Sequence, residues 1–255
     1  MGVSIANSFL VFSAYFFAIA LFEIPTGYIA DRFGKKISTQ IGISLASIGY
    51  LLMAFSEINI VFSVIGVVFA GVGGTMVSGA SLAWLLNVAR NRDSKLKTEQ
   101  FTLRLQFVGR FGVMFGAILG ASSFYIGPEI CWIFAFFVGS FGLIISKYIE
   151  AEKLDSSKNT VDSKFTSQLK NPFVISLFVI GIAFGLETGI RSLIVPPYVL
   201  EITDNNVFFM GVFGVILAII RLVGIIFYKN FLAKYNNGIW FAVIALVTFG
   251  TAEII

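Results

Sequence analysis

The chain is poor in the residues that carry most enzyme chemistry. Its 255 residues include no histidine and a single cysteine, Cys131. No disulfide can form within the chain. Histidine-based zinc sites, histidine-ligated haem and nucleophilic dyads that use a histidine base are all excluded. We predict no catalytic residue, no resident metal and no cofactor, and therefore no enzyme.

Charged residues are also scarce. They make up 13% of the chain, whereas apolar residues make up 57% and phenylalanine alone supplies 29 residues. A typical soluble domain is about 25% charged, so this chain has too little polar surface for a water-exposed globule. It is also far too apolar for a disordered protein. The composition predicts an all-α, polytopic helical membrane protein.

Eight apolar segments are long enough to cross a bilayer, for which a helix needs about 20 residues. They do not alternate apolar and polar residues as the strands of a membrane barrel do. The segment 59–87 carries no charge, and it is longer than the bilayer requires, so we expect it to tilt or project. The predicted spans are 5–30, 37–55, 59–87, 101–123, 130–148, 172–198, 207–228 and 238–255.

Basic residues are confined to alternate connections between these spans. Of the 18 lysines and arginines, 13 lie in the first, third, fifth and seventh connections, Lys147 borders the fifth at the end of its span, and the other connections contain none. The positive-inside rule makes the basic connections cytoplasmic and the N-terminus external, in a multi-pass protein of the cytoplasmic (plasma) membrane. The pI near 9.2 then reflects topology, and we expect no nucleic-acid partner.

The stretch 149–171 is the only long polar segment of the chain. Its composition predicts a cytoplasmic linker between two membrane bundles. The predicted organisation is an N-terminal bundle over 1–148, the linker over 149–171, and a C-terminal bundle over 172–255.

The first basic connection carries a dense motif. It reads Gly27-Tyr28-Ile29-Ala30-Asp31-Arg32-Phe33-Gly34-Lys35-Lys36. Gly27 permits close approach of a neighbouring helix, and Gly34 permits a tight turn. Asp31 can cap the next helix or lie at the positive N-terminus of another. The three cations can pair with acids or with the phosphate of membrane lipid.

This motif resembles the signature G-x-x-x-D-R-x-G-[RK]-[RK] of the major facilitator superfamily, and every diagnostic position is filled. The segment from Ser78-Gly79-Ala80 to Trp84-Leu85-Leu86 is similar to the fourth helix of bacterial members, many of them drug exporters. The resemblance implies two six-helix bundles and secondary active transport of a small solute by alternating access. It also implies export, a coupling ion (proton or sodium), and a gate that contains Gly27, Asp31, Arg32, Gly34, Lys35 and Lys36.

In that family the motif follows the second helix, whereas here it follows the first predicted span. The resemblance therefore implies that the spans correspond to family helices 2–6 before the linker and 7–9 after it. On this interpretation the sequence is a fragment that lacks the first and the last three helices. A different class stays open: a non-transporting membrane remnant, or an assembly partner, on the same scaffold.

Five charged residues fall inside the predicted spans, where a charge persists only if it is paired or faces water. Glu187 and Arg191 are four residues apart and can form a structural pair, or they can bind substrate or a coupling ion in a central cavity. Arg221 can extend toward the cytoplasm, and Glu23 can serve as a gate element or a proton site. The candidates for substrate or ion coupling are Glu23, Arg110, Glu187, Arg191 and Arg221.

Two sets of glycines are spaced for helix contacts. Gly112, Gly116 and Gly120 repeat every four residues along the fourth span, which predicts close packing against another helix rather than a gating hinge. The same expectation applies to the third span, which carries Gly71, Gly73, Gly74 and Gly79.

Overall fold

The computed structural model of the chain describes residues 5–92, 96–151, 194–195, 198–204 and 206–230. All regular secondary structure in these residues is helical, which confirms the predicted class. The predicted spans 238–255 and, except for its last residues, 172–198 lie outside the described part of the chain, as do Glu187, Arg191 and most of the linker. The helices are α1 Ile5–Phe33, α2 Lys35–Met53, α3 Ile60–Arg92, α4 Thr98–Phe124, α5 Pro128–Tyr148 and α6 Phe208–Asn230.

Four helices in the described part of the chain are long and apolar enough to cross a membrane: Phe9–Phe33, Ile60–Arg92, Thr98–Ser123 and Pro128–Tyr148. The helix α3 has 33 residues and is therefore about 50 Å long, more than a hydrocarbon core of about 30 Å requires. Many large apolar side chains lie on the outer surface, and Ile24 is 84% exposed. Such a surface suits acyl chains rather than water.

The chain divides into two compact units. The first contains residues 1–96 and 120–210, and the second contains 97–119 and 211–255. Within the first unit, α2 packs against α1, α3 and α5, and α1 packs against α3. The helix α2 is the central element of this unit, and it buries polar side chains, Ser38, Thr39 and Ser47.

The contact between α2 and α3 depends on glycine. A Cβ atom at Gly73 would lie 2.5 Å from the carbonyl oxygen of Gly42. Seven residues along each helix, a Cβ atom at Gly49 would lie 2.5 Å from the carbonyl oxygen of Gly66. Any other residue at these positions would force the two backbones apart, so the close packing predicted for Gly73 is confirmed.

Other glycines have no such neighbour. A Cβ atom at Gly112, Gly116 or Gly120 of α4 would meet no atom within 4 Å. The prediction of close packing is therefore wrong for this stripe in the described part of the chain. On α3, the prediction is also wrong for Gly74 and Gly79, whereas a Cβ atom at Gly71 would lie 3.1 Å from the carbonyl oxygen of Tyr15.

Candidate functional site

The junction between α1 and α2 is a single residue, Gly34. Its φ of 100° lies in the left-handed region, which side chains with a Cβ atom rarely adopt. The N–H of Gly34 donates to the carbonyl of Ala30 at 3.1 Å, and its own carbonyl accepts from the N–H of Ser38 at 3.0 Å. The tight turn predicted at Gly34 is present, and it fixes the motif residues on either side of it.

A cavity of about 350 Å³ lies between the C-terminal half of α1 and α3. We call it the α1–α3 cavity. Two carboxylates, Glu23 and Asp31, and the ammonium group of Lys35 line it together with the hydroxyl-bearing residues Thr75 and Ser78. The remaining lining residues are small or apolar: Thr26, Gly27, Ala30, Met76, Gly79, Ala80 and Ala83. The fold thus brings Glu23 to the motif, eight residues away along α1.

The expectation for Gly27 is wrong, and so is one of the two roles expected of Asp31. A Cβ atom at Gly27 would meet nothing within 4 Å, so Gly27 does not admit a close helix and instead borders the cavity. Asp31 does not cap α2, because the N-cap position is Gly34 and it has no side-chain cap hydrogen bond. The turn is so short that Asp31 is still within α1, in its last turn.

Arg32 does not line the α1–α3 cavity, and its guanidinium group has other contacts. It donates a hydrogen bond of 3.2 Å to the hydroxyl of Tyr28, one turn earlier on α1. Its central carbon also lies 5.7 Å from the ring centroid of Phe33. Arg32 is exposed, so this side chain lies along the outer surface of α1.

Lys36 has a third environment, at the end of α5. Its Nζ atom donates to the carbonyl oxygens of Lys147 at 3.3 Å and Ile149 at 2.5 Å. These carbonyls belong to the C-terminal end of α5, where helix carbonyls have no intrahelical partner and the helix dipole is negative. The lysine charge therefore satisfies and stabilises this helix end.

Trp84 of α3 reinforces the same contact. Its indole N–H donates to the carbonyl of Glu150 at 2.8 Å, and the Nζ atom of Lys36 lies 5.9 Å from its ring centroid. Trp84 is 2% exposed. We call Lys36, Trp84 and the backbone of residues 147–150 the linker anchor, because they fix the point at which the chain leaves α5 toward the predicted linker.

An ion pair adds to the linker anchor at its edge. The guanidinium group of Arg92 lies 3.1 Å from the Oε1 atom of Glu150, and the two side chains are 70% and 64% exposed. Water and salt screen such an exposed pair. The buried indole and the lysine are therefore the stronger part of the anchor.

The helix α1 is continuous but contains a proline beside the cavity. Pro25 lies inside α1 and cannot donate the backbone hydrogen bond that the preceding turn requires. The next residue, Thr26, is 2% exposed, and its hydroxyl donates to the carbonyl of Phe22 at 2.7 Å. Side-chain bonds of this kind bend helices, so the turn of α1 that contains Glu23 and Pro25 is weakened.

The remaining candidates are the charges inside predicted spans. Arg110 and Arg221 both belong to the second unit, and both are half-buried. The Nε atom of Arg110 is buried and has no hydrogen-bond partner among the residues that the structure describes. Glu187 and Arg191 lie outside the described residues, so their pairing stays a prediction.

The sequence alone did not identify the linker anchor. Lys36 was grouped with Arg32 and Lys35 as motif cations, although the three have different surroundings in the structure. Trp84 contributed only to a helix resemblance. One available signal was a tryptophan inside an apolar span, since a buried indole N–H needs an acceptor.

Comparisons with known proteins complete these observations. No curated protein and no solved structure gave a significant match to the chain. The sequence model of the Major Facilitator Superfamily matches residues 1–253, almost the whole chain. The motif around a one-residue turn, the apolar helices and this match lead to one conclusion: the chain belongs to the Major Facilitator Superfamily, a family of multi-pass membrane transporters.

Proposed function

We propose that the protein is a secondary active transporter that moves a small solute across the cytoplasmic membrane by alternating access, with export as its direction. The observation that carries the proposal is the α1–α3 cavity, which brings Glu23, Asp31 and Lys35 together between apolar helices of a transporter family. Charged groups at such a place require water or a partner in at least one state of the protein.

The cavity supports a gating role for the motif. Only Gly34 separates α1 from α2, so a movement of the end of α1 is transmitted to the start of α2. Gly27 and Gly79 leave open space at the cavity wall, which a closing helix can occupy. A movement that changes the surroundings of Asp31 and Lys35 then changes the relative free energies of the two states.

Glu23 is the proposed coupling residue, for a proton or a sodium ion. It lines the cavity and lies two residues before Pro25, at the weakened turn of α1. A change in its charge would therefore act where α1 bends most easily. This arrangement links ion binding at Glu23 to the gate at Asp31.

Thiol labelling tests the proposal without knowledge of the substrate. Ser78 is exposed and lines the cavity, so Ser78→Cys in a Cys131→Ser background reports access to it. We expect a proton or sodium gradient to change its labelling rate several-fold, and Asp31→Asn to reduce that change. The control is Lys97→Cys, outside the cavity, whose rate should not respond to a gradient.

A static scaffold gives a different result. If the protein is a non-transporting remnant or an assembly partner, labelling at position 78 will be the same with and without each gradient, and Asp31→Asn will change nothing. All labelling and transport assays use the protein expressed from its complete natural reading frame.

The proposed orientation has its own test. Lys97 lies in a basic connection and Ile58 in an acidic one, and both are exposed. In intact cells, an impermeant thiol reagent should label Ile58→Cys and should leave Lys97→Cys unlabelled until the membrane is opened. The opposite pattern would reverse the orientation.

A further inference from the structure

The hydroxyl group of Tyr125 joins two parts of the chain that are far apart in sequence. Tyr125 directly follows α4, and its hydroxyl donates to the Oδ1 atom of Asn206 at 2.7 Å. The same hydroxyl accepts from the backbone N–H of Phe208, at the start of α6, at 3.2 Å. All three residues lie in the first compact unit. Because one hydroxyl acts as both donor and acceptor, its position against the start of α6 is well defined.

The position of Tyr125 is also fixed by its own connection. Only residues 125–127 separate α4 from α5. The N–H of Tyr125 donates to the carbonyl of Ser122 at 3.3 Å, and the N–H of Gly127 donates to the carbonyl of Ser123 at 3.0 Å. This hydrogen-bonded turn holds the tyrosine at the end of α4 independently of its contact with α6.

The contact can break without damage to either side. The Oδ1 atom of Asn206 also accepts from the N–H of Phe208 at 3.0 Å, so the start of α6 keeps its acceptor when Tyr125 moves away. Tyr125 is 62% exposed, and Asn206 is exposed as well. Water can therefore replace each lost partner, and the net contribution of such hydrogen bonds to stability is modest. These are the properties of a reversible contact.

The two sides of this contact belong to different predicted bundles. Tyr125 lies in the predicted N-terminal bundle, whereas Asn206 and Phe208 lie in the predicted C-terminal bundle. Both of their connections lack basic residues, which puts them on the proposed external side. The α1–α3 cavity lies beside the basic motif, on the proposed cytoplasmic side. In alternating access, an external contact between bundles forms when that side closes and breaks when it opens.

We propose that Tyr125 and Asn206 form an external latch, which stabilises the state in which the external side is closed and the α1–α3 cavity is open. The inference rests on the proposed function and adds to it a gate contact on the membrane side opposite Asp31. Tyr125 and Asn206 are positioning residues, because they act on the populations of two states rather than on the solute.

Thiol labelling at two positions tests the latch. Ala121 lies four residues before Tyr125 and is 7% exposed, so Ala121→Cys reports opening beside the latch, whereas Ser78→Cys reports the α1–α3 cavity. Each reporter is placed in the Cys131→Ser background of the complete reading frame. We expect Tyr125→Phe to raise the labelling rate at position 121 by about three- to tenfold, the range for the loss of one hydrogen bond. The rate at position 78 should stay equal or fall.

Two further variants sharpen the test. Tyr198→Phe changes another exposed tyrosine on the same predicted side, and it should leave both rates unchanged. Asn206→Ser keeps a side-chain acceptor for the start of α6 but is one bond shorter toward Tyr125, so it should act like Tyr125→Phe. A rise at both reporter positions would indicate a general loosening of the structure, and an unchanged rate at position 121 would indicate no latch. Either outcome overturns the proposal.

The outcomes separate the latch from the transporter. If the rate at position 78 responds to a gradient but Tyr125→Phe leaves the rate at position 121 unchanged, the transporter stands and the latch fails. If Tyr125→Phe raises the rate at position 121 alone, and no gradient changes the rate at position 78, the latch stands as a contact between two states and ion-coupled transport is rejected.

Discussion

The helix α3 has two faces with opposite properties. Toward α2 it is sealed, because Gly66 and Gly73 bring the two backbones into direct contact. Toward α1 it opens into a cavity lined by charged and hydroxyl-bearing residues. Both faces are rich in small residues, yet the first holds the helices together, whereas the second is close to α1 at Gly71 and leaves space at the cavity.

This difference separates a structural interface from a moving one. Backbone-to-backbone contact leaves no room for a helix to shift, so α2 and α3 should behave as one rigid body. The face toward α1 combines a cavity, a proline-weakened turn and unfilled glycine positions. We therefore expect substitutions on the sealed face to change stability, and substitutions on the open face to change function.

The largest effect should come from alanine on the sealed face. In Gly73→Ala the new methyl group would lie 2.5 Å from the carbonyl oxygen of Gly42 and 2.6 Å from the backbone nitrogen of Ala46. Neither backbone atom can move away by a change of side-chain rotamer. We therefore expect the free energy of unfolding to fall by about 1–3 kcal/mol or more, the range for overpacked interiors. Thermal unfolding in detergent measures it.

The matched control is on the same helix. Gly79→Ala places its methyl group in open space, and alanine favours the helix over glycine by about 0.5–1 kcal/mol. Its melting temperature should be equal to or above that of the parent protein. If both variants lose the same stability, the two faces of α3 do not differ in the way the structure indicates.

A second prediction concerns the linker anchor, in which Lys36 lies at the start of α2. Lys36→Met keeps the length of the side chain and removes the donor to two carbonyls at the end of α5. A hydrogen bond from a charged donor contributes about 1.5–3 kcal/mol to the free energy of unfolding. Because Lys36 is partly exposed, we expect Lys36→Met to lower that free energy by an amount near the lower end of this range. Lys97→Met, an exposed lysine, is the control and should unfold at the parent temperature.

The sequence predicted some of these features and not others, for physical reasons. Apolar length predicted the helices, because a bilayer imposes it on any spanning chain. The sequence also predicted the tight turn at Gly34, because glycine tolerates the positive φ that such a short turn requires. Glycine spacing alone failed on α4, since Gly112, Gly116 and Gly120 show where a helix could approach, not whether one does. The anchor on Lys36 joins residues more than 100 positions apart, which no local pattern encodes.

A third prediction belongs to the open face. Asp31 lies in the last turn of α1, where the negative end of the helix dipole opposes a carboxylate by about 0.3–1 kcal/mol. Asp31→Asn should therefore leave the melting temperature unchanged or slightly raised, while solute flux in vesicles falls several-fold. A variant that loses flux and stability together would make Asp31 a structural residue.

The smallest effect should come from the exposed edge of the linker anchor. Glu150→Gln removes the ion pair with Arg92 but keeps the backbone carbonyl that accepts from Trp84. Exposed pairs contribute about 0.2–1 kcal/mol, so the melting temperature should fall only slightly, and the change should disappear at high salt. Trp84→Phe removes the buried donor and leaves the carboxylate in place. It should therefore lower the melting temperature by more than Glu150→Gln does, and the size of this change should not depend on salt. If Glu150→Gln proves the more damaging of the two, the ion pair and not the indole holds the linker to α3.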